Sequence, residues 1–161
     1  MKCRNLVESD VPAIARIHRR ACLTAYAFMK WSYSELEVRT WYAGKFTQWE
    51  WGLIAEDDLT GVGFVAVIGT HLDQLFVEPE YQKRRIGTYL LIRALGRTPT
   101  VTTLNVFEQN TVARKFYERY GFREVDRFVN EEERSVELVY GRDTQAPTGR
   151  PRPMTGRATR V

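Results

Sequence analysis

"VEPEYQKRRIGTYLL", residues 77–91, decides how this chain is read. An apolar run ends at Val77, and Pro79 marks a turn. Lys83, Arg84 and Arg85 follow in a row, then Ile86-Gly87-Thr88, then apolar residues at helical spacing. This is a strand, a basic loop and a helix start. The first N–H groups of a helix lack intrahelical partners, and the helix dipole adds positive potential there. Three cations at that end oppose the dipole, so the loop is expected to hold an anion, and a phosphate fits best. Gly87 removes a Cβ where a ligand would approach the backbone. Thr88 adds a hydroxyl, and Gln82 opens the loop.

Working outward, the hairpin turn Asp57-Asp58-Leu59-Thr60-Gly61 joins a strand at Trp51–Glu56 to a continuous apolar run at Val62–Gly69. Such a run suits a strand covered on both faces. His71–Val77 and Val101–Phe107 read as further strands. Upstream, Cys3–Val7 is a short strand. Ser9 or Asp10 then caps a helix with Pro12 in its first turn and Val11, Ile14, Ala15, His18 and Cys22 on one face. A weaker helix spans 33–43. Leu90, Leu91, Ala94 and Leu95 point inward from the helix that begins at Ile86. Asn110 caps a helix striped by Ala113, Phe116, Tyr117 and Tyr120, and Gly121 ends it left-handed. Strands at Phe122–Phe128 and Arg134–Tyr140 close the domain. Hairpins and helical crossovers together predict an α/β (mixed α+β) domain: a mixed, mostly antiparallel sheet of six to seven strands, with helices on both faces. Gly61-Val62-Gly63-Phe64-Val65-Ala66 matches the dinucleotide fingerprint, but it follows a turn and opens a strand, so that reading is rejected.

The chain has 161 residues, and 43% of them are hydrophobic. The excess charge of +4 lies in residues 141–161, which hold five arginines and one acid. Residues 1–140 form the expected domain, and 141–161 a Pro-, Gly- and Arg-rich disordered tail. A solvated tail is preferred over one that touches nucleic acid, because the domain is neutral. No apolar run reaches membrane-spanning length and no signal core follows Met1, so a cytoplasmic protein with no membrane partner is expected. Cys3 and Cys22 have no metal or redox spacing, and no metal site is expected.

"LFVEPEYQKRRIGTYLL" resembles the acetyl-CoA motif of the GNAT (Gcn5-related N-acetyltransferase) family, Q/R-x-x-G-x-G/A after the fourth strand. "NVFEQNTVARKFYERYGF", residues 105–122, resembles the family's N-x-x-A-x-x-F-Y-x-x-x-G-F. Both occur in order and on the expected elements, so the resemblance covers about residues 1–140. Where the family most often has its first loop glycine, this chain has Arg85. Its N–H is expected to point inward while the guanidinium points out or folds over a phosphate.

The resemblance implies an acetyl-CoA-dependent N-acetyltransferase with a GNAT-like fold. Its partners are acetyl-CoA and a primary amine of a small molecule or peptide, and a homodimer is left open. The alternative is a non-catalytic acyl-CoA-binding or regulatory module. The implied cofactor site comprises Leu75, Phe76, Val77, Gln82, Lys83, Arg84, Arg85, Ile86, Gly87, Thr88, Asn110 and Phe116, with an oxyanion donor at a strand bulge around Phe76 and Val77. Tyr117 is the implied acid for the leaving thiolate; otherwise its ring simply belongs to the helical stripe. His71 is the candidate base, with Asp73 on the same strand face to orient it or relay through water; a strand-end histidine meeting solvent is the alternative. His18 is expected to be a hydrogen-bonded core histidine, with Glu78 and Glu108 as exposed reserve bases. Of Tyr26, Phe28, Trp31, Trp41, Tyr42, Trp49 and Trp51, two or three are expected to reach the acceptor pocket.

Overall fold

The computed structural model describes residues 1–144. Seven strands form one sheet, in the order β1-β2-β3-β4-β5-β7-β6. They are β1 (Lys2–Asn5), β2 (Trp51–Asp57), β3 (Thr60–Ile68), β4 (His71–Val77), β5 (Thr103–Phe107), β6 (Arg123–Asn130) and β7 (Ser135–Gly141). The helices are α1 (Val11–Ala25), α2 (Glu35–Phe46), α3 (Ile86–Arg97) and α4 (Thr111–Glu118). Among the described residues only the β4–β5 pair is parallel. None of the helices among the described residues is long and apolar enough to cross a membrane.

Alternation on the central strands splits the core in two. Ile54 and Phe64 pack with Ile14, Ile17, Val38 and Tyr42 beneath α1 and α2. Val65, Leu75 and Val77 pack with Leu90, Leu91 and Ala94 of α3 and with Phe116 and Tyr117 of α4. Helices therefore cover both faces, and β3 is the strand buried on each side. The glycines of the rejected fingerprint are packing glycines. A Cβ at Gly63 would stand 3.2 Å from Cγ2 of Ile86 and 3.1 Å from the Phe76 carbonyl oxygen, so Gly63 lets the start of α3 approach the sheet closely.

The β2–β3 turn uses Asp58 and Leu59, both at positive φ, as tight hairpin turns require. α2 begins with a capping box: Ser34 Oγ accepts from Glu37 N–H, and the Glu37 carboxylate accepts from Ser34 N–H. The expected domain boundary at residue 140 falls inside β7. Gly141 pairs with Thr103 and Arg123, and Arg142 Nε donates to the Val101 carbonyl at 2.9 Å. The rest of the expected tail, 145–161, lies outside the described residues.

Candidate active site

β4 and β5 pair only at His71–Thr103 and Leu72–Leu104, and then part. From Asp73 onward, the β4 edge that faced β5 has no strand partner. Unpaired backbone donors and acceptors on a sheet edge are ready to bind a ligand. A cavity of about 670 Å³ opens in this wedge. α1 and the α1–α2 loop wall one side, the start of α4 another, and the β6–β7 hairpin closes over it.

At one end lies the basic loop. Lys83 and Arg85 both have φ of 64° and flank Arg84, whose φ is negative. Such alternation turns successive N–H groups toward one point and makes an anion nest. Arg85 is the N-cap of α3, with φ 64° and ψ 14°. The first α-type bond of that turn runs from Tyr89 N–H to the Arg85 carbonyl, which leaves the Ile86, Gly87 and Thr88 amides without intrahelical acceptors. The side chains of Lys83, Arg84 and Arg85 are exposed, and Arg84 lies over the Tyr81 ring at 4.8 Å. Gln82 ties the loop to the strand, its Nε2 donating to the Val77 carbonyl at 3.1 Å. Glu78 is not an exposed reserve: it is buried and paired with Arg16 (2.9 Å) and Arg20 (3.0 Å) of α1, anchoring the loop's approach.

In the middle of the wedge, Leu75, Phe76 and Val77 line the cavity from β4. Asn110 and Tyr117 line it from α4, where Asn110 caps the helix by accepting from Ala113 N–H at 3.1 Å. Tyr117 is buried, and burial raises its pKa well above the usual phenol value, so it stays protonated. Phe116 is enclosed in the core instead, against Tyr117 and Tyr120.

The expected pairing of His71 with Asp73 is not present. β4 carries a bulge: Gln74 pairs with Ala66 but Leu72 with Val67, so Asp73 is the extra residue. The bulge therefore lies at Asp73, not around Phe76 and Val77; His71 and Asp73 both line the cavity, but Asp73 is held by other partners. Asp73 accepts from Trp49 Nε1 at 2.8 Å and pairs with Lys45 Nζ at 3.0 Å. His71 Nδ1 lies 2.9 Å from Thr103 Oγ1. Burial holds the His71 pKa below the imidazole norm, Asp73 opposing and Lys45 assisting, so His71 is neutral near pH 7.

Sequence reasoning missed the acceptor end. His18 lines the cavity and stacks on Phe76 at 4.4 Å between centroids. Its Nδ1 is buried without a hydrogen-bond partner, contrary to the hydrogen-bonded core histidine expected, and burial pulls its pKa down to about 3. Tyr26, Trp31 and Trp41 reach the cavity, the three allowed for among seven aromatics, and Tyr33 joins them. The acidic hairpin residues Glu132 and Glu133 also line it. No motif in the sequence marks them; only the fold brings them to the cleft.

The acetyltransferase (GNAT) domain model matches residues 48–124. The peptidyl-lysine N-acetyltransferase YiaC of Escherichia coli is 31% identical over 127 residues, 76% of this chain and 84% of that protein. The peptidyl-lysine N-acetyltransferase YjaB of Salmonella typhimurium is 41% identical over 73 residues; the match covers 45% of this chain and spans about half, 49%, of that relative's length. In fold, the chain matches the apo-form solution structure of Escherichia coli YjaB with a TM-score of 0.68 at 23% identity, over 88% of this chain and 96% of that one. The yncA acetyltransferase of Salmonella typhimurium, solved with acetyl-CoA, matches with a TM-score of 0.63 at 18% identity, over 87% of this chain and 91% of that one. Sequence likeness to YiaC across three quarters of this chain and 84% of that protein shows that the chain belongs to the GNAT family of N-acetyltransferases.

Proposed function

We propose that this chain transfers an acetyl group from acetyl-CoA to a primary amine, a lysine side chain or a small-molecule amine, by direct attack. One observation carries the reading: a cleft runs along the unpaired edge of β4, reaching Gln82 at the start of the anion nest at one end and an aromatic, acidic chamber at the other. The names of YiaC and YjaB supply the lysine acceptor as precedent.

The nest at residues 82–88 fits the pyrophosphate of CoA: convergent amides, a buried Gly87 and three exposed cations. Acetyl-CoA supplies a thioester carbonyl and a thiol leaving group. Backbone donors of the unpaired β4 edge would stabilise negative charge on the carbonyl oxygen. His71, neutral and partly buried, would take a proton from the acceptor ammonium, directly or through water. The amine nitrogen then bonds to the carbonyl carbon and sheds its second proton to solvent, the carbon–sulfur bond breaks, and Tyr117 would give a proton to sulfur and regain one from solvent. Burial that raises the Tyr117 pKa also raises the proton affinity of a thiolate beside it, so the transfer stays nearly balanced. Asp73 is assigned to holding Trp49 and Lys45 rather than to proton transfer.

The test is mass spectrometry of a lysine peptide incubated with the protein and acetyl-CoA. Acetyl-lysine is the expected product. Tight acetyl-CoA binding with no acetylated amine across a broad acceptor panel would replace this reading with an acyl-CoA-binding module.

A further inference from the structure

The chain carries 24 Lys and Arg residues, yet among the described residues none lines the cavity. Five acids do: Glu37, Asp73, Glu132, Glu133 and Glu137. Asp73 is neutralised by Lys45. No ion pair reaches Glu132, Glu133 or Glu137 among the described residues. Their partners are neutral. Tyr33 O–H donates to Glu132 Oε1 at 3.3 Å, and Asn105 and Asn130 amides donate to Glu137 at 3.3 and 2.7 Å. Burial raises the pKa of Glu133, and Glu132 and Glu137 push it further up against the Tyr33 hydrogen bond. Carboxylates that repel one another at a cavity wall leave a demand for positive charge.

A second, independent feature points to a ligand in the same chamber. His18 is walled by Phe76, Tyr42 and Trp31, with ring centroids 4.4, 5.2 and 5.7 Å away, and its buried Nδ1 has no partner. Orphaned buried polar atoms are rare in native proteins and call for a missing partner. An imidazole held neutral accepts a hydrogen bond, and an ammonium is a donor with three N–H bonds. Trp31, Trp41 and Phe76 offer apolar walls to a methylene chain and π-faces to a cation.

Building on the amine-acetylation reading, we infer that the acceptor carries a second positive charge, its alkyl chain lying along the aromatic wall and its distal cation at Glu132, Glu133 and Glu137. Two sources share this chemistry: a free diamine or polyamine, and a peptide lysine beside another basic residue.

The experiment compares kcat/KM for 1,4-diaminobutane with that for n-butylamine, and for a lysine peptide flanked by arginine with the same peptide flanked by glutamine. The dication is expected to win by about tenfold at low salt, the scale of one charge-assisted contact. The advantage is expected to shrink toward parity as salt shortens the screening length. Preference in the diamine pair alone assigns a free polyamine; preference in the peptide pair assigns a basic peptide. The Glu133→Gln/Glu137→Gln variant is expected to reduce the preference several-fold, with Glu133→Asp keeping most of it. Equal kcat/KM within both pairs would overturn the inference even if amines are acetylated well. Should no amine be acetylated, the amine-acetylation reading fails, and calorimetric binding of diaminobutane against butylamine still decides: equal affinities would overturn the inference.

Discussion

Nδ1 of His71 lies 2.9 Å from Oγ1 of Thr103, at the base of the wedge where β4 and β5 part. When Nδ1–H donates to that hydroxyl, Nε2 is left bare, and a bare nitrogen on a neutral ring is what a base needs. Burial lowers the pKa of this ring, so the neutral form persists below pH 6.5 and is lost only as pH falls further. The rate with saturating acetyl-CoA is therefore expected to hold through pH 7 and fall on an acid limb below about 6.5. His71→Gln is expected to abolish or displace that limb. An unaltered limb in His71→Gln would assign the proton to another group.

Tyr117→Phe removes one hydroxyl and keeps the ring among Phe116 and Phe122. Acetyl-CoA affinity and Tm are expected to change little. Turnover is expected to fall by roughly 10²–10⁴, the usual contribution of a positioned acid or base, and to do so across the pH range. Steady-state kinetics on a good acceptor checks this; turnover within threefold of the parent would leave solvent as the proton source.

Arg85 holds φ of 64°, a region that costs a residue with a Cβ roughly 1–2 kcal/mol and costs glycine almost nothing. The family's glycine is thus explained by backbone conformation as much as by a missing side chain. Arg85→Gly relieves that strain but loses about 0.5–1 kcal/mol to the freer unfolded chain, so Tm is expected to hold or rise by a few degrees. Arg85→Val, β-branched and intolerant of positive φ, is expected to lower it. CoA affinity by calorimetry is expected to move by less than tenfold in Arg85→Gly, about 1.4 kcal/mol. A much larger gain would mean that the guanidinium obstructs the phosphate site.

The parts of the fold that were legible in the sequence have local causes. β4 begins and ends, and α3 begins, at the expected residues because an apolar run, Pro79 and a helical stripe mark them within one short stretch. Asn110 is read as a cap because its side chain reaches an amide only three residues on. The Asp73 bulge is not legible, because it arises from register against β3 and not from the order of residues in β4. The His71–Asp73 pairing fails because Trp49 and Lys45, both distant in sequence, take the Asp73 carboxylate. Helical periodicity places His18 on an apolar face of α1, yet only the tertiary fold shows that this face borders a cavity. The acidic hairpin joins the site through the Tyr33–Glu132 contact, which spans 99 residues of chain and leaves no local trace.

The most direct test of direct acetyl transfer follows three quantities in one reaction of purified protein with acetyl-CoA: free CoA thiol, acetylated amine and intact protein mass. Thiol release is expected only when an amine acceptor is present, in equal amount to acetylated amine, with no acetyl group on the protein. Thiol release without amine accompanied by an acetylated protein side chain, or no release with any amine despite acetyl-CoA binding, would contradict it.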